Sequence, residues 1–95
     1  MSDFEKAANA IRESGKQGIK ASDDELKQMY ALYKQGTVGD NNTEQPGMLD
    51  LRGKAKWEAW NAVKGKSKDD AQKEYVAMAK NLLAKYGFND LANGL

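Results

Sequence analysis

Tyr30, Tyr33 and Lys34 stand at i, i+3 and i+4 in the segment MYALYK, a spacing that places all three on one side of a helix. Two phenols beside an ammonium make a site for a flat anion. The rings can cover an adenine or donate through their hydroxyls to a phosphate oxygen, and the lysine adds a phosphate-seeking charge. The same short pattern also occurs on ordinary amphipathic helices. A second grouping is electrostatic: residues 51 to 68 carry six bases, Arg52, Lys54, Lys56, Lys64, Lys66 and Lys68, against Glu58 alone, whereas residues 21 to 50 carry two lysines and six acids. The basic block suits an anionic ligand, and a solvated helix face accounts for it equally well. Trp57 and Trp60 lie among these cations, and their large apolar area places the pair in the core.

Much chemistry is excluded by what the chain lacks. Its 95 residues include no His and no Cys. Nucleophile pairs of the Ser-His-Asp or Cys-His kind, thiolate or imidazole zinc sites and His-ligated haem are therefore absent. No isolated Asp/Glu pair falls in an apolar pattern that would form a cleft, and Glu74 beside Tyr75 reads as a solvated helix position. The expectation is no catalytic residue, no metal ligand and no cofactor. The formal charge of +1 gives no strong overall field. A chain this short buries only about 60 to 65% of its unfolded surface, which allows one domain with a thin core. Without disulfides that core must form by apolar burial alone, which fits a reducing compartment. The first residues, MSDFE, show neither a basic nor an apolar leader region, and no apolar run approaches the ~20 residues of a membrane span. A cytoplasmic location is expected.

The elements that must position these side chains are predicted to be four helices, each with a legible start. Ser2-x-x-Glu5 reads as a capping box ahead of Phe4, Ala7, Ala8 and Ile11, and this helix should end near Gly15. Ser22-x-x-Glu25 opens a second helix carrying Leu26, Met29, Tyr30 and Tyr33, with Gly36 as its stop. Asp50 caps a third helix with Leu51, Ala55, Ala59 and Ala62 on one side, ending at Gly65. Ser67-x-x-Asp70 caps the fourth, where Ala71, Tyr75, Met78 and Leu82 form one stripe and Val76, Ala79, Leu83 and Tyr86 another, up to Gly87. Residues 88 to 95 look like a frayed tail. No alternating run supports a strand, so the fold class is all-α. The 13 residues from Thr37 to Leu49 have no period, and they exceed the about two to eight residues that join antiparallel neighbours. Helices two and three can therefore run parallel.

Read together, Tyr30-x-x-Tyr33-Lys34-Gln35-x-Thr37-Val38-Gly39-Asp40 and Pro46-Gly47-Met48-Leu49-Asp50-x-x-Gly53-Lys54-Ala55-Lys56-Trp57-x-Ala59-Trp60 closely resemble the acyl-CoA-binding protein family. The likeness continues through Lys64-Gly65-x-Ser67-x-x-Asp70-Ala71 and Tyr75 to Lys85-Tyr86-Gly87, and more weakly through Phe4-x-Lys6-Ala7-Ala8. The resemblance implies a four-helix bundle of up-down-down-up topology over residues 1 to 87, with 88 to 95 as a short C-terminal extension. It implies a non-catalytic, monomeric carrier of long-chain fatty acyl-CoA. This carrier withdraws its ligand from membranes, touching them transiently, and hands it to acyl-CoA-using enzymes. It further implies that Tyr30, Tyr33, Lys34, Lys56 and Tyr75, with Arg12 nearby, contact the CoA head group, Lys34 and Lys56 neutralising its 3′-phosphate. For the acyl tail it implies an apolar groove near Phe4, Ala8, Ile11, Leu26 and Ala55. Tail burial is worth about 0.8 kcal/mol per methylene, so tail length should dominate affinity.

Several positions depart from the family pattern. Lys27 and Gln28 make the groove rim more polar, Gly36 in place of the usual Ala suggests an earlier helix stop, and Gln45 stands where a base is common before Pro46. The segment from Gly15 to Ala21 is longer than usual. The extension beyond Gly87 is open to two readings, a packed turn or a disordered end. Two other functions fit parts of the pattern. Single-stranded nucleic acid could use the basic block with aromatic platforms, but the balanced net charge argues against it and no nucleic acid is expected. An adaptor bundle, with Tyr30, Tyr33 and Tyr75 as core and the lysines solvating the surface, accounts for each residue singly.

Overall fold

The computed structural model describes residues 2–95 and contains α1 Asp3–Lys16, α2 Asp23–Thr37, α3 Leu51–Ala62, α4 Lys68–Lys85 and α5 Asn89–Asn93, with no strand among the described residues. Met1, counted in the expected 1 to 87 unit, lies outside the described residues. The four long helices start where their caps predict. The side chains of Ser2, Ser22, Asp50 and Ser67 each accept the backbone N–H three residues on, from Glu5, Glu25, Gly53 and Asp70. Each bond satisfies one of the free amides of a first turn. Only Ser22 and Glu25 close the full reciprocal box; at the first helix the Glu5 carboxylate accepts from the Ser2 hydroxyl instead.

Helix directions follow from which ends touch. The start of α2 meets the end of α4, where Lys85 and the Tyr86 hydroxyl both donate to the Glu25 carboxylate, and the end of α2 meets the start of α4, where Gln72 donates to the Gly36 carbonyl at 2.8 Å. These two helices are antiparallel. Leu26 of α2 shares a cleft with Leu51 of α3, while Lys34 near the end of α2 lies over Trp60 near the end of α3. They are therefore parallel, as the long connection anticipates. Phe4 at the start of α1 packs edge-on to Tyr75 in the first half of α4, with ring centres 5.2 Å apart. The bundle is thus up-down-down-up, with α4 packed against α1, α2 and α5, and α3 held by α2.

Phe4, Ala7 and Ala8 from α1, Met29 and Leu32 from α2, and Tyr75, Ala79 and Leu82 from α4 form the buried core. The alanines let three helices approach closely, at the cost of apolar area per residue. The third helix contributes least: Trp60 is its one buried side chain, Ala55 and Ala59 are half-buried, and Leu51 and Ala62 are exposed. Its predicted apolar side thus borders solvent.

Two helix ends differ from expectation. The α3 helix ends at Ala62, three residues before Gly65. The second helix does not stop at Gly36 but runs through it to Thr37, because Gly36 is buried where a Cβ would lie 3.0 Å from Gln72 Cγ and 3.3 Å from Phe4 Cζ. Its absent side chain serves packing, and the chain turns at Gly39, with φ +98. Gly87 ends α4 as expected. At φ +86 it allows the Phe88 N–H to reach the Leu83 carbonyl at 2.7 Å. Residues beyond it form α5 rather than a frayed tail, and this short helix packs on α4 and α1.

Candidate functional site

Along α2 the tyrosine-lysine cluster splits by angle. Three residues advance a helix by about 300° and four by about 400°, so Tyr33 and Lys34 diverge to opposite sides of Tyr30. Tyr30 is half-buried, and Lys56 reaches from α3 to place its Nζ 5.4 Å from the ring centre. Lys34 leans the same way, its Nζ 5.1 Å from the Trp60 ring. Tyr33 turns towards α1 and α4, with ring centres 5.7 Å from Phe4 and 6.0 Å from Tyr75, and Arg12 donates to its hydroxyl at 3.3 Å. All six residues implicated in the head-group site are thus arranged along α2. Helix two supplies three of them, and the other long helices one each.

Tyr75 is nearly fully buried, and burial pushes its phenol up to about 12, an effect that the nearby Arg12 guanidinium partly opposes. The hydroxyl therefore stays a proton donor at any ordinary pH. Among the described residues no group hydrogen-bonds to it.

The five residues expected to line an apolar groove do not lie together. Leu26 and Ala55, with Leu51, line a cleft of about 480 Å³ between α2 and α3, rimmed by Lys27, Arg52 and Lys56. Phe4 and Ala8 are in the core, with Ile11 half-buried against it, and Phe4 also edges a separate groove of about 290 Å³ between the first turns of α1 and α4. Helical spacing defines which residues share a face but not which neighbour covers it. The cleft shares Lys56 with Tyr30, which joins the apolar surface directly to the cationic and aromatic cluster.

The connection between α2 and α3 is fixed by Gln35, Asp40 and Asn41 and by the two tryptophans expected in the core, of which Trp60 is buried and Trp57 only half-buried. The Trp57 indole donates to the Thr43 carbonyl at 3.0 Å, the Trp60 indole to the Gly39 carbonyl at 2.8 Å, and Asn41 to the Trp57 carbonyl at 3.2 Å. Asp40 accepts from the Gly65 N–H and from the side chain of Gln35, both at 2.8 Å, and these bonds hold its carboxyl below the usual range. Gln35 is fully buried and also donates to the Lys66 carbonyl at 2.7 Å. Together these bonds hold α3, and with it Lys56, at a set distance from α2. Indole N–H groups that need partners are the signal that could have predicted an ordered loop.

Among the described residues no group of three or more His, Cys, Asp or Glu could hold a metal ion, and no helix is long and apolar enough to cross a membrane. Residues 1–79 match the family model described as acyl CoA binding protein. The chain is 67% identical over 66 residues to acyl-CoA-binding protein homolog 1 of Caenorhabditis elegans, which covers 70% of this chain and 77% of that one. It is 54% identical over 83 residues to the acyl-CoA-binding protein homolog of Drosophila melanogaster, covering 87% and 93%. Its fold matches the crystal structure of ACBP from Moniliophthora perniciosa with a TM-score of 0.86 at 40% identity, over 98% of this chain and 91% of the other. Helix order, the aromatic-cationic cluster and these likenesses converge: the chain belongs to the acyl-CoA-binding protein family.

Proposed function

We propose that this protein binds long-chain fatty acyl-CoA esters, with the CoA head group along α2 and the acyl tail in the cleft between α2 and α3. The observation that carries this reading is Lys56, which lies over the Tyr30 ring and on the rim of an apolar cleft at once. The ligand has the same two-part chemistry, an adenine with phosphates joined to a hydrocarbon. Tyr30 and Tyr33 offer the stacking surface, Lys34 and Lys56 neutralise the 3′-phosphate, and Arg12 and the Tyr75 hydroxyl supply further donors. The two lysines lie over the Trp60 and Tyr30 rings, contacts worth about 0.5 to 1 kcal/mol each at exposed sites. A charge-assisted bond to phosphate is worth about 1.5 to 3 kcal/mol, so a phosphate draws them off the rings.

The tail gains a similar transfer energy in this cleft and in a bilayer, so recognition of the head group decides where the ligand goes. The protein is a non-catalytic, monomeric, cytoplasmic carrier that withdraws acyl-CoA from membranes, shields it and releases it to enzymes. Residues 1 to 87 form the binding unit and 88 to 95 an extension. Transfer is the test. When vesicles loaded with palmitoyl-CoA are mixed with excess protein and sedimented, the ligand should move to the protein-containing supernatant. Ligand that stays with the lipid would contradict the carrier role.

A further inference from the structure

Four of the large exposed apolar side chains gather at one end of the molecule: Leu26, 47% exposed, Met48, 85%, Leu49, 99%, and Leu51, 74%. The Asp50 N–H donates to the Gly47 carbonyl at 3.0 Å, closing a turn with Met48 and Leu49 at its tip. Leu51 and Leu26 continue the apolar surface into the mouth of the cleft. Arg52 and Lys54 follow at the start of α3, and neither forms an ion pair among the described residues. The neighbouring acids are largely engaged. Asp50 accepts from the Gly53 N–H, and Asp24 pairs with Lys27 at 3.2 Å, which leaves Asp23 on the opposite wall of the cleft. The Asp50 carboxylate already meets the positive end of α3, so the cationic character of this face comes from Arg52 and Lys54.

We propose that the turn at Met48 and Leu49, with Leu51, Arg52 and Lys54, docks the ligand-free protein on an anionic bilayer and turns the mouth of the cleft to the lipid. The inference rests on the carrier reading above and adds the surface and orientation by which it operates. A bilayer fits this end better than a second copy does. Self-association through this face would bring Arg52 and Lys54 of both copies together. The apolar tip is also convex and almost wholly solvated, so it lacks the concave fit of a protein interface. A lipid interface demands no such fit: it accepts apolar tips at its acyl boundary and attracts cations to its headgroups.

The test uses vesicles without acyl-CoA, of phosphatidylcholine alone or with about a third phosphatidylserine, in flotation assays. The unmodified chain should float with the anionic vesicles and be released by salt, since each cation near such a surface contributes about fivefold. Met48→Ser with Leu49→Ser should weaken flotation at least tenfold on the strength of lost apolar insertion. Lys54→Ala, which leaves the cleft-lining Arg52 in place, should do so by about fivefold at low salt. Met48, Leu49 and Lys54 belong neither to the proposed head-group cluster nor to the lining of the cleft, so in these two variants the affinity for palmitoyl-CoA in vesicle-free solution should not change. Equal flotation of variants and parent would overturn the proposal, as would a parent that never floats. So would a loss of dimer in the variants by sedimentation velocity, which would assign the face to a second copy. Flotation needs no ligand, so it distinguishes failure here from failure of the acyl-CoA reading, which appears as absence of palmitoyl-CoA binding in solution.

Discussion

Replacing Tyr75 with Phe separates the work of its ring from that of its hydroxyl. The ring is 4% exposed and packs edge-on to Phe4 at 5.2 Å, so it belongs to the core. No described group hydrogen-bonds to the hydroxyl. Removing an oxygen that the protein leaves unpaired should change stability by less than about 0.5 kcal/mol, whereas Tyr75→Ala deletes the ring and should cost about 3 to 5 kcal/mol. Binding should respond in the opposite proportion. If the hydroxyl donates to a ligand phosphate, Phe loses a charge-assisted bond of about 1.5 to 3 kcal/mol, and Kd for palmitoyl-CoA should rise about 10- to 150-fold. Urea denaturation and calorimetric titration on the same preparations read both quantities. An unchanged Kd would refute the assignment of the hydroxyl to the ligand. A loss of binding matched by more than about 1 kcal/mol of lost stability would make Tyr75 a core residue only.

Acid should weaken the fold through Glu25. Its carboxyl is held down to about 2, against 4.5 unperturbed, chiefly by the Tyr86 hydroxyl and then by the Ser22 N–H and Lys85. The unfolded chain binds the extra proton first, so stability present above pH 4.5 falls as pH drops towards 2. Tyr86→Phe should shrink this loss, read as the change in urea midpoint between about pH 7 and about pH 3. Trp60→Phe removes the indole bond to Gly39 and should cost about 1 kcal/mol, with faster amide hydrogen exchange in the α2–α3 connection. Gly87→Ala should cost about 1 to 2 kcal/mol, because φ is +86 there. Gly47→Ala has open space and no positive φ, and should leave the urea midpoint unchanged.

Helix starts were legible because a capping residue and its partner lie three positions apart, a local relation that sequence states directly. The parallel run of α2 and α3 was legible too, since chain length limits what a connection can reach. Phe4 and Ala8 show where such reasoning stops. Their spacing marks an apolar face, but its covering by Tyr75, and not by an open groove, is a tertiary fact. Glycine's low helix propensity marks Gly36 as a stop, yet close approach of Gln72 and Phe4 outweighs that propensity. Asp40, Asn41 and the two indoles order the connection through bonds spanning 14 to 25 residues, which no local pattern encodes. The short α5 was missed as an element for a related reason: five residues hold too little periodicity, and its packing on α1 and α4 stabilises it.

The most direct test of the central claim is calorimetric titration with palmitoyl-CoA, free CoA and palmitate, on the unmodified chain and on Lys56→Ala. Two cooperating parts of one site predict tight binding of palmitoyl-CoA and much weaker binding of either fragment. Lys56→Ala should weaken palmitoyl-CoA and CoA by about 10- to 150-fold and leave palmitate unchanged. Palmitate that binds as tightly as palmitoyl-CoA, or a Lys56→Ala chain that binds all three as the unmodified chain does, would contradict it.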